Sequence, residues 1–340
     1  MQLVEIARGT RCHAEGFGDR LSERCTERCT DRCTERLALL RLHLEPGVTP
    51  AVARQLFEAF ARPSDVLSSS ARVLSRWLAL PLAQALCRAP GASVKAAMQR
   101  TAQWAQRTGC QWLTWLDPDY PAVLRELTDA PVVLYAQGNL GVLEHPAVSI
   151  VGAREATAQA RALAHQLALD LALAQWTVVS GLALGIDASA HRGALRAARQ
   201  AVGKMAGQTA GKTGGALTVA VLGTAPDRCY PAVHHELAAS IVEQGGLLLS
   251  EFALGTPTVA HHFPRRNRLV AALGRATVVV QARARSGSLI TARLANELGR
   301  DVYAVPGRPG DPLSAGCHAL IRQGAGLLEG VDDLWQGFGL

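Results

Sequence analysis

From Leu37 onward apolar positions recur at helical spacing, with Leu37, Leu39, Leu40 and Leu42 followed, after a Pro46-Gly47-Val48-Thr49-Pro50 turn, by Val52, Leu56, Phe57 and Phe60. The pattern predicts two short helices joined by a Pro/Gly turn, with further helices over 71–88 and 93–108. Asp117-Pro118-Asp119-Tyr120-Pro121 is a turn cluster, and Val132-Val133-Leu134-Tyr135 a strand that ends at Gly138-Asn139. Near 140 the rhythm changes to strand, loop, helix. Short, β-branched apolar runs without alternation predict buried parallel strands over 148–151, 177–179, 217–222, 247–249, 276–280 and 302–305. Helices are predicted between them at about 157–174, 187–199, 234–244, 288–299 and 315–323. Such alternation implies right-handed crossovers and an α/β fold built on a doubly wound, mostly parallel sheet.

Three regions follow. Residues 1–36 are expected to be a disordered extension carrying a tetrapeptide repeat, Arg-Cys-Thr-Glu/Asp, with Cys25, Cys29 and Cys33 at steps of four. On a helix those thiols share one stripe, but the paired Cys-x-x-Cys or Cys/His spacing of structural zinc is missing, and no metal is assigned. Residues 37–110 form a small helical domain similar to SAM-like or helix-hairpin-helix modules, read as a packing module. Residues 111–335 form the α/β domain, interrupted by a low-complexity, linker-like insertion at 203–215. The chain stops at Leu340, and no winged-helix domain is expected after the sheet.

Composition narrows the function classes. The 340 residues carry a formal net charge of +7, with 49% hydrophobic and 19% charged residues. Lys95, Lys204 and Lys212 are the lysines among 35 basic residues, so arginine supplies the rest. A basic balance without a basic amphipathic anchor favours nucleic acid over membrane. Residues 1–11 are charged and lack the apolar core of a signal peptide. The most apolar stretch, 163–184, contains His165, Asp170 and Gln175, too polar for a spanning helix. A cytoplasmic protein is expected, in which eight cysteines stay reduced. Aromatic residues make up only 5% of the chain, which predicts weak base stacking and little sequence preference.

The candidate chemistry lies in loops that leave the predicted strands, where ligands bind in open α/β sheets. Phe263-Pro264-Arg265-Arg266-Asn267-Arg268 reads as a proline-stiffened arginine loop. Three guanidiniums in four residues are unfavourable to crowd unless something anionic neutralises them, and phosphate is the expected partner. Gly152, Ala153 and Arg154 close the first strand of the α/β domain and open a helix whose amino terminus attracts an anion. Arg154 stands where a Gly-x-Gly-x-x-Gly fingerprint needs its second glycine, so a dinucleotide is disfavoured. Ser180, Gly181 and Gly185 frame a plausible nest of amides for one phosphate, with Asp187 as helix N-cap and His191 as a packing or hydrogen-bonding residue. Ser286, Gly287 and Ser288 lead into the next helix, where their hydroxyls either cap it or contact a phosphate.

Other motifs are set aside. Ala206-x-x-x-x-Gly211-Lys212-Thr213 matches a relaxed Walker A pattern but lacks the strand before it and the helix after it. His234-His235 and His261-His262 are adjacent pairs that cannot easily face one ion, so metal is left out. No cofactor is assigned.

Taken together these loops resemble the DNA-processing protein A (DprA/Smf) family. The resemblance is carried in order by the motifs at 117–121, 134–139, 150–154, 180–191, 220–224, 263–268, 286–292, 304–307 and 320–325, and covers about 37–334. It implies an extended Rossmann-like domain that binds single-stranded DNA, as a homodimer and not as an enzyme. It also implies protection of incoming DNA and loading of the RecA recombinase in natural transformation. Carried over position by position, Arg154, the 180–185 loop, Arg265, Arg266, Asn267 and the 286–288 loop would line a phosphate track, while Arg268 serves either there or as a structural ion-pair partner. Replacing Arg265 and Arg266 together by Ala is expected to weaken DNA binding with the fold intact. Ala225, Gln281 and Cys317-His318 depart from the family pattern. The alternative is a Rossmann-like nucleotide enzyme of the LOG-type phosphoribohydrolase group, whose Pro-Gly-Gly-x-Gly-Thr loop and nearby glutamate are not found.

Overall fold

A computed structural model describes residues 19–205 and 215–340, with the side chains of 19–30 and 202–205 left aside. The chain divides into two compact units, the first running to Tyr135 and including Ala253–Gly255, the second comprising Ala136–Phe252 and Thr256–Leu340. The division thus falls about 25 residues beyond the expected 110/111 junction and close to the change of rhythm near 140.

In the first unit, helix α1 (Asp19–Leu44) is followed by α2 (Pro50–Ala59), α3 (Pro63–Ser68), α4 (Ala71–Leu74), α5 (Leu80–Leu86), α6 (Ala92–Ala105) and strand β1 (Cys110–Thr114). The disorder expected of 1–36 does not extend to 19–36, which is helical and continuous with the hydrophobic positions after Leu37. Cys33 is buried there; residues 1–18 lie outside the described residues, as do the side chains of Cys25 and Cys29. Thr49 caps α2 by accepting from the Val52 amide at 3.2 Å, with Pro50 in the first turn, where it lacks no needed donor. The long helix expected over 71–88 is broken into α4 and α5, the second restarting at Pro81 in its first turn. Asp117 secures the turn after β1, accepting from the Thr114 amide and hydroxyl at 2.8 and 2.9 Å and pairing with Arg36 at 3.4 Å. Strand β2 (Val133–Gly138) spans the boundary.

The second unit holds β3 (Ala147–Val151), α7 (Ala158–Leu173), β4 (Thr177–Ser180), α8 (Ile186–Met205), β5 (Thr218–Val221), α9 (His235–Glu243), β6 (Leu247–Ser250), α10 (His262–Leu273), β7 (Ala276–Val279), α11 (Gly287–Glu297), β8 (Asp301–Ala304), α12 (Ala315–Arg322), β9 (Gly326–Leu327) and α13 (Val331–Phe338). Its strands line up in the order β6-β5-β4-β3-β7-β8-β9, and every neighbouring pair is parallel. This is the doubly wound, mostly parallel sheet that the alternation predicts. Strands β4 to β7 are buried at every position, which explains their unbroken apolar sequence. Two apolar clusters flank the sheet, one around Ile150, Leu167, Val178, Ala190 and Val278, the other around Leu182, Leu195, Ala220, Ile241 and Leu248. Helix α8 contributes to both.

One element differs in kind. The arginine cluster at 263–268 is not a loop but the first turns of α10. Pro264 is tolerated there because the opening residues of a helix have no intrahelical acceptor for their amides. The 203–215 insertion lies mostly outside the described residues, as does the Walker-like Ala206–Thr213 segment. Among the described residues no helix is long and apolar enough to cross a membrane.

Candidate nucleic-acid interface

Chain order reverses between β3 and β7: β4, β5 and β6 extend to one side, β8 and β9 to the other. Loops diverge at such a switch point and leave a crevice beyond the strand carboxyl ends. A cavity of about 340 Å³ occupies that position. Its lining comes from the loop after β3 (Gly152, Arg154, Glu155), from α10 (Phe263, Arg266, Asn267) and from the segment joining β7 to α11 (Arg283, Arg285, Ser286, Gly287, Ser288).

The three arginines of α10 are mostly satisfied from within. Arg268 is buried and donates to Glu251 Oε2 at 2.6 Å, and Arg265 donates to the same oxygen at 3.0 Å with its side chain 40% exposed. Arg266 is buried and donates to the carbonyls of Gly181 (2.6 Å) and Val221, and to Asn267 Oδ1 at 3.2 Å. The cluster therefore staples α10 across the carboxyl ends of β4, β5 and β6. Its crowding is relieved by an internal carboxylate and by carbonyl dipoles, which corrects the inference that an external phosphate must neutralise it. A double substitution of Arg265 and Arg266 accordingly removes a buried staple and is not silent for the fold.

The loop after β4 is closed in the same way. Asp187 is not an N-cap; it sits inside the first turn of α8, and its Oδ2 accepts from the amides of Gly181 (3.1 Å) and Ala183 (3.3 Å). The nest expected to hold a phosphate thus already holds the chain's own carboxylate. Burial pushes the Asp187 carboxyl up, against the opposing pull of Arg266 and the two amides; burial likewise lowers Arg266 to about 10. Each group is shifted toward its neutral form, because desolvation outweighs the attraction between the two. Ser180 is fully buried and donates to the Ile150 carbonyl at 2.7 Å, so its hydroxyl is a strand-to-strand tie away from the pocket surface. Gly181 is buried with the Arg266 guanidinium packed where a Cβ would stand, so this position has no room for a side chain. Gly185 ends the loop, and the following Ile186 amide donates to the Ala153 carbonyl at 3.2 Å.

Exposed positive charge comes from elsewhere. Arg154 is exposed at the pocket edge, its guanidinium 6.0 Å from the Phe263 ring centre. Arg283 and Arg285, which sequence reasoning passed over because they flank the Ser-Gly-Ser motif without belonging to it, are exposed where the β7–α11 segment lines the same pocket. Ser286 caps α11, accepting from the Ser288 amide at 3.3 Å, and the two hydroxyls bond at 2.7 Å. Gly287 is exposed in the same loop and its carbonyl faces Asn267 Nδ2 at 3.5 Å. Gln281 was noted only as a departure from the family pattern, yet it braces the Arg154 loop: its backbone carbonyl accepts from the Ala153 amide at 2.7 Å and its Oε1 from the Thr157 amide at 2.9 Å. Either a glutamine or a glutamate can accept that bond.

His191 packs as expected, buried with Nδ1 2.8 Å from the Thr218 hydroxyl. Thr218 gives its proton to the Val178 carbonyl at 2.9 Å, so Nδ1 of His191 is the donor and Nε2 carries the bare lone pair. Among the described residues no group of three or more His, Cys, Asp or Glu is placed to hold a metal ion.

The family model for DNA recombination-mediator protein A matches residues 111–339. Protein Smf of Escherichia coli is 39% identical over 223 residues, covering 65% of this chain and 55% of that protein. The DNA processing protein DprA of Streptococcus pneumoniae is 41% identical over 219 residues, covering 64% of this chain and 71% of that protein. The X-ray structure of the Streptococcus pneumoniae protein superposes with a TM-score of 0.70 at 32% identity, covering 87% of this chain and 95% of that one. DprA from Helicobacter pylori, described for its single-stranded DNA binding mode, superposes with a TM-score of 0.57 at 29% identity, covering 67% and 95%. The chain spans little more than half the length of the Escherichia coli relative. Sheet order, switch-point crevice and matched residues converge, and the chain belongs to the DNA recombination-mediator protein A family.

Proposed function

We propose that this protein is a non-enzymatic single-stranded-DNA binder whose phosphate contacts lie at the β3/β7 switch point. The observation that carries the reading is the exposed arginine wall of Arg154, Arg283 and Arg285 around a pocket whose buried charges, Asp187 and Arg266, are already engaged inside the fold. Exposed guanidiniums gain from phosphate contact without giving up an internal partner. Gly152, Asn267, Ser286, Gly287 and Ser288 then supply the polar floor between them. Ser180, Gly181, Gly185 and Arg266 hold that floor in place from behind, and Arg265, half exposed, adds a contact at the edge.

As in the reading of the Helicobacter pylori relative, the ligand is single-stranded DNA; delivery of that strand to RecA by a cytoplasmic homodimer during natural transformation is the biological role proposed with it. Polarisation binding of a labelled oligo-dT against its duplex at two salt concentrations tests the first part. Preference for the single strand is expected, with log affinity falling against log salt by about 0.7 per neutralised phosphate. Equal affinity for the duplex, or no salt dependence, would overturn it. For the second part, the protein should accelerate RecA filament formation on strands coated with single-strand-binding protein.

A further inference from the structure

Tyr230 is 48% exposed, and its ring lies 5.1 Å from that of Phe263 at a tilt of 45°. Phe263 in turn lines the phosphate pocket and lies under the Arg154 guanidinium. An exposed ring, a half-buried ring and a cation therefore follow one another from the outer rim of the pocket to its wall. Single exposed apolar side chains are common and need no explanation; this one stands apart because of its neighbour and its rigidity. Phe263 is seated on backbone, since a Cβ on Gly223 would come within 2.6 Å of the ring. The loop that presents Tyr230 is braced at several points. Thr224 Oγ1 donates to the Arg228 carbonyl at 2.6 Å, the Arg228 amide donates to Ala225 at 3.0 Å, and Ser250 Oγ donates to the Thr224 carbonyl at 2.7 Å. On its far side, His234 Nδ1 bonds the Leu182 carbonyl at 2.8 Å. An aromatic side chain held open in this way gives up little freedom when a flat partner covers it.

We propose that Tyr230 is a base-stacking residue of this site, with Phe263 as its backing. Where Arg154 takes one phosphate, the adjoining base of the same strand lies on the exposed face of Tyr230. Bases of a single strand are unpaired and offer a free π-face of any sequence, which a duplex does not. The stack thus adds discrimination between single strand and duplex that phosphate contacts alone lack. This inference rests on the single-stranded-DNA reading above.

The test compares the full chain with Tyr230→Ala, Tyr230→Leu and Tyr230→Phe on oligo-dT and on an abasic strand of equal length with the same phosphates. Tyr230→Ala should weaken oligo-dT binding about 5- to 150-fold, leave the salt slope unchanged, and leave the abasic affinity as it was. Tyr230→Leu, which keeps bulk without a π-face, should resemble Ala, and Tyr230→Phe should resemble the unaltered protein. Equal loss on both strands, or no loss on oligo-dT, overturns the stacking role. Failure of the unaltered protein to bind oligo-dT at all is a separate result, and it removes the DNA reading on which the stack depends.

Discussion

Arginine is the residue on which sequence and structure diverge most usefully. Arg265, Arg266 and Arg268 look alike in the chain, yet one is half exposed and two are buried, and Glu251 and Asp187 offset most of their charge. Nothing in their spacing reveals this, because both acidic partners come from other loops, 14 and more residues away. Arg266→Ala should lower the unfolding free energy by about 3–5 kcal/mol, since it removes the buried cation beside Asp187 and the donor to two buried carbonyls. Urea denaturation measures the loss, and a change under 1 kcal/mol would contradict the staple. His191 sets a second expectation at this scale. Burial, with smaller contributions from His234, Arg266 and Arg192, lowers it from 6.5 to about 3. The unfolded chain therefore binds a proton that the folded one refuses between those values, and stability falls as pH drops from about 6.5 toward 3, by up to about 1.4 kcal/mol per pH unit. A His191→Gln variant should show a shallower acid slope in denaturation midpoints across that range.

At the level of elements, strands β3 to β8 and helices α7, α8, α9, α11 and α12 are legible in the sequence because burial on both faces forces an unbroken apolar run for each strand and a 3.6-residue rhythm for each helix. Helix α10 reads as a loop in the sequence because its first half, Phe-Pro-Arg-Arg-Asn-Arg, carries no apolar stripe; that half buries Arg266 and Arg268, and the apolar burial begins only at Leu269. The break between α4 and α5 escaped for the opposite reason: apolar residues continue through it while Pro81 restarts the helix. The site follows the same division. Arg154 and the Ser286–Ser288 loop can be placed from strand ends, whereas Arg283 and Arg285 join the site only because the β7–α11 segment folds into the pocket lining. Single substitutions Arg154→Ala, Arg283→Ala and Arg285→Ala should each weaken single-strand binding and reduce the salt slope by about 0.7, with melting temperature unchanged. A variant that loses affinity while keeping the full slope would exclude that arginine from phosphate contact.

For the whole molecule, the formal charge of +7 is carried largely by exposed arginines, and three of them, Arg154, Arg283 and Arg285, gather at the edge of one crevice. A ligand bound there stabilises the folded chain by mass action. Oligo-dT at about 100 times its dissociation constant should add about 2.7 kcal/mol, read as a rise in melting temperature that high salt abolishes. The same oligonucleotide should leave an Arg154→Ala, Arg283→Ala, Arg285→Ala triple variant unstabilised. Chromatography after incubation with AMP should show no free adenine if the site lacks bond-breaking chemistry. The carboxylate of Asp187 has one more consequence. By accepting from the Gly181 and Ala183 amides it takes up donors beyond β4, so on the proposed function a strand would be gripped over a brief footprint near β3 and β7. Covering a long strand would then call for additional protomers side by side, a consequence that follows from the proposed function.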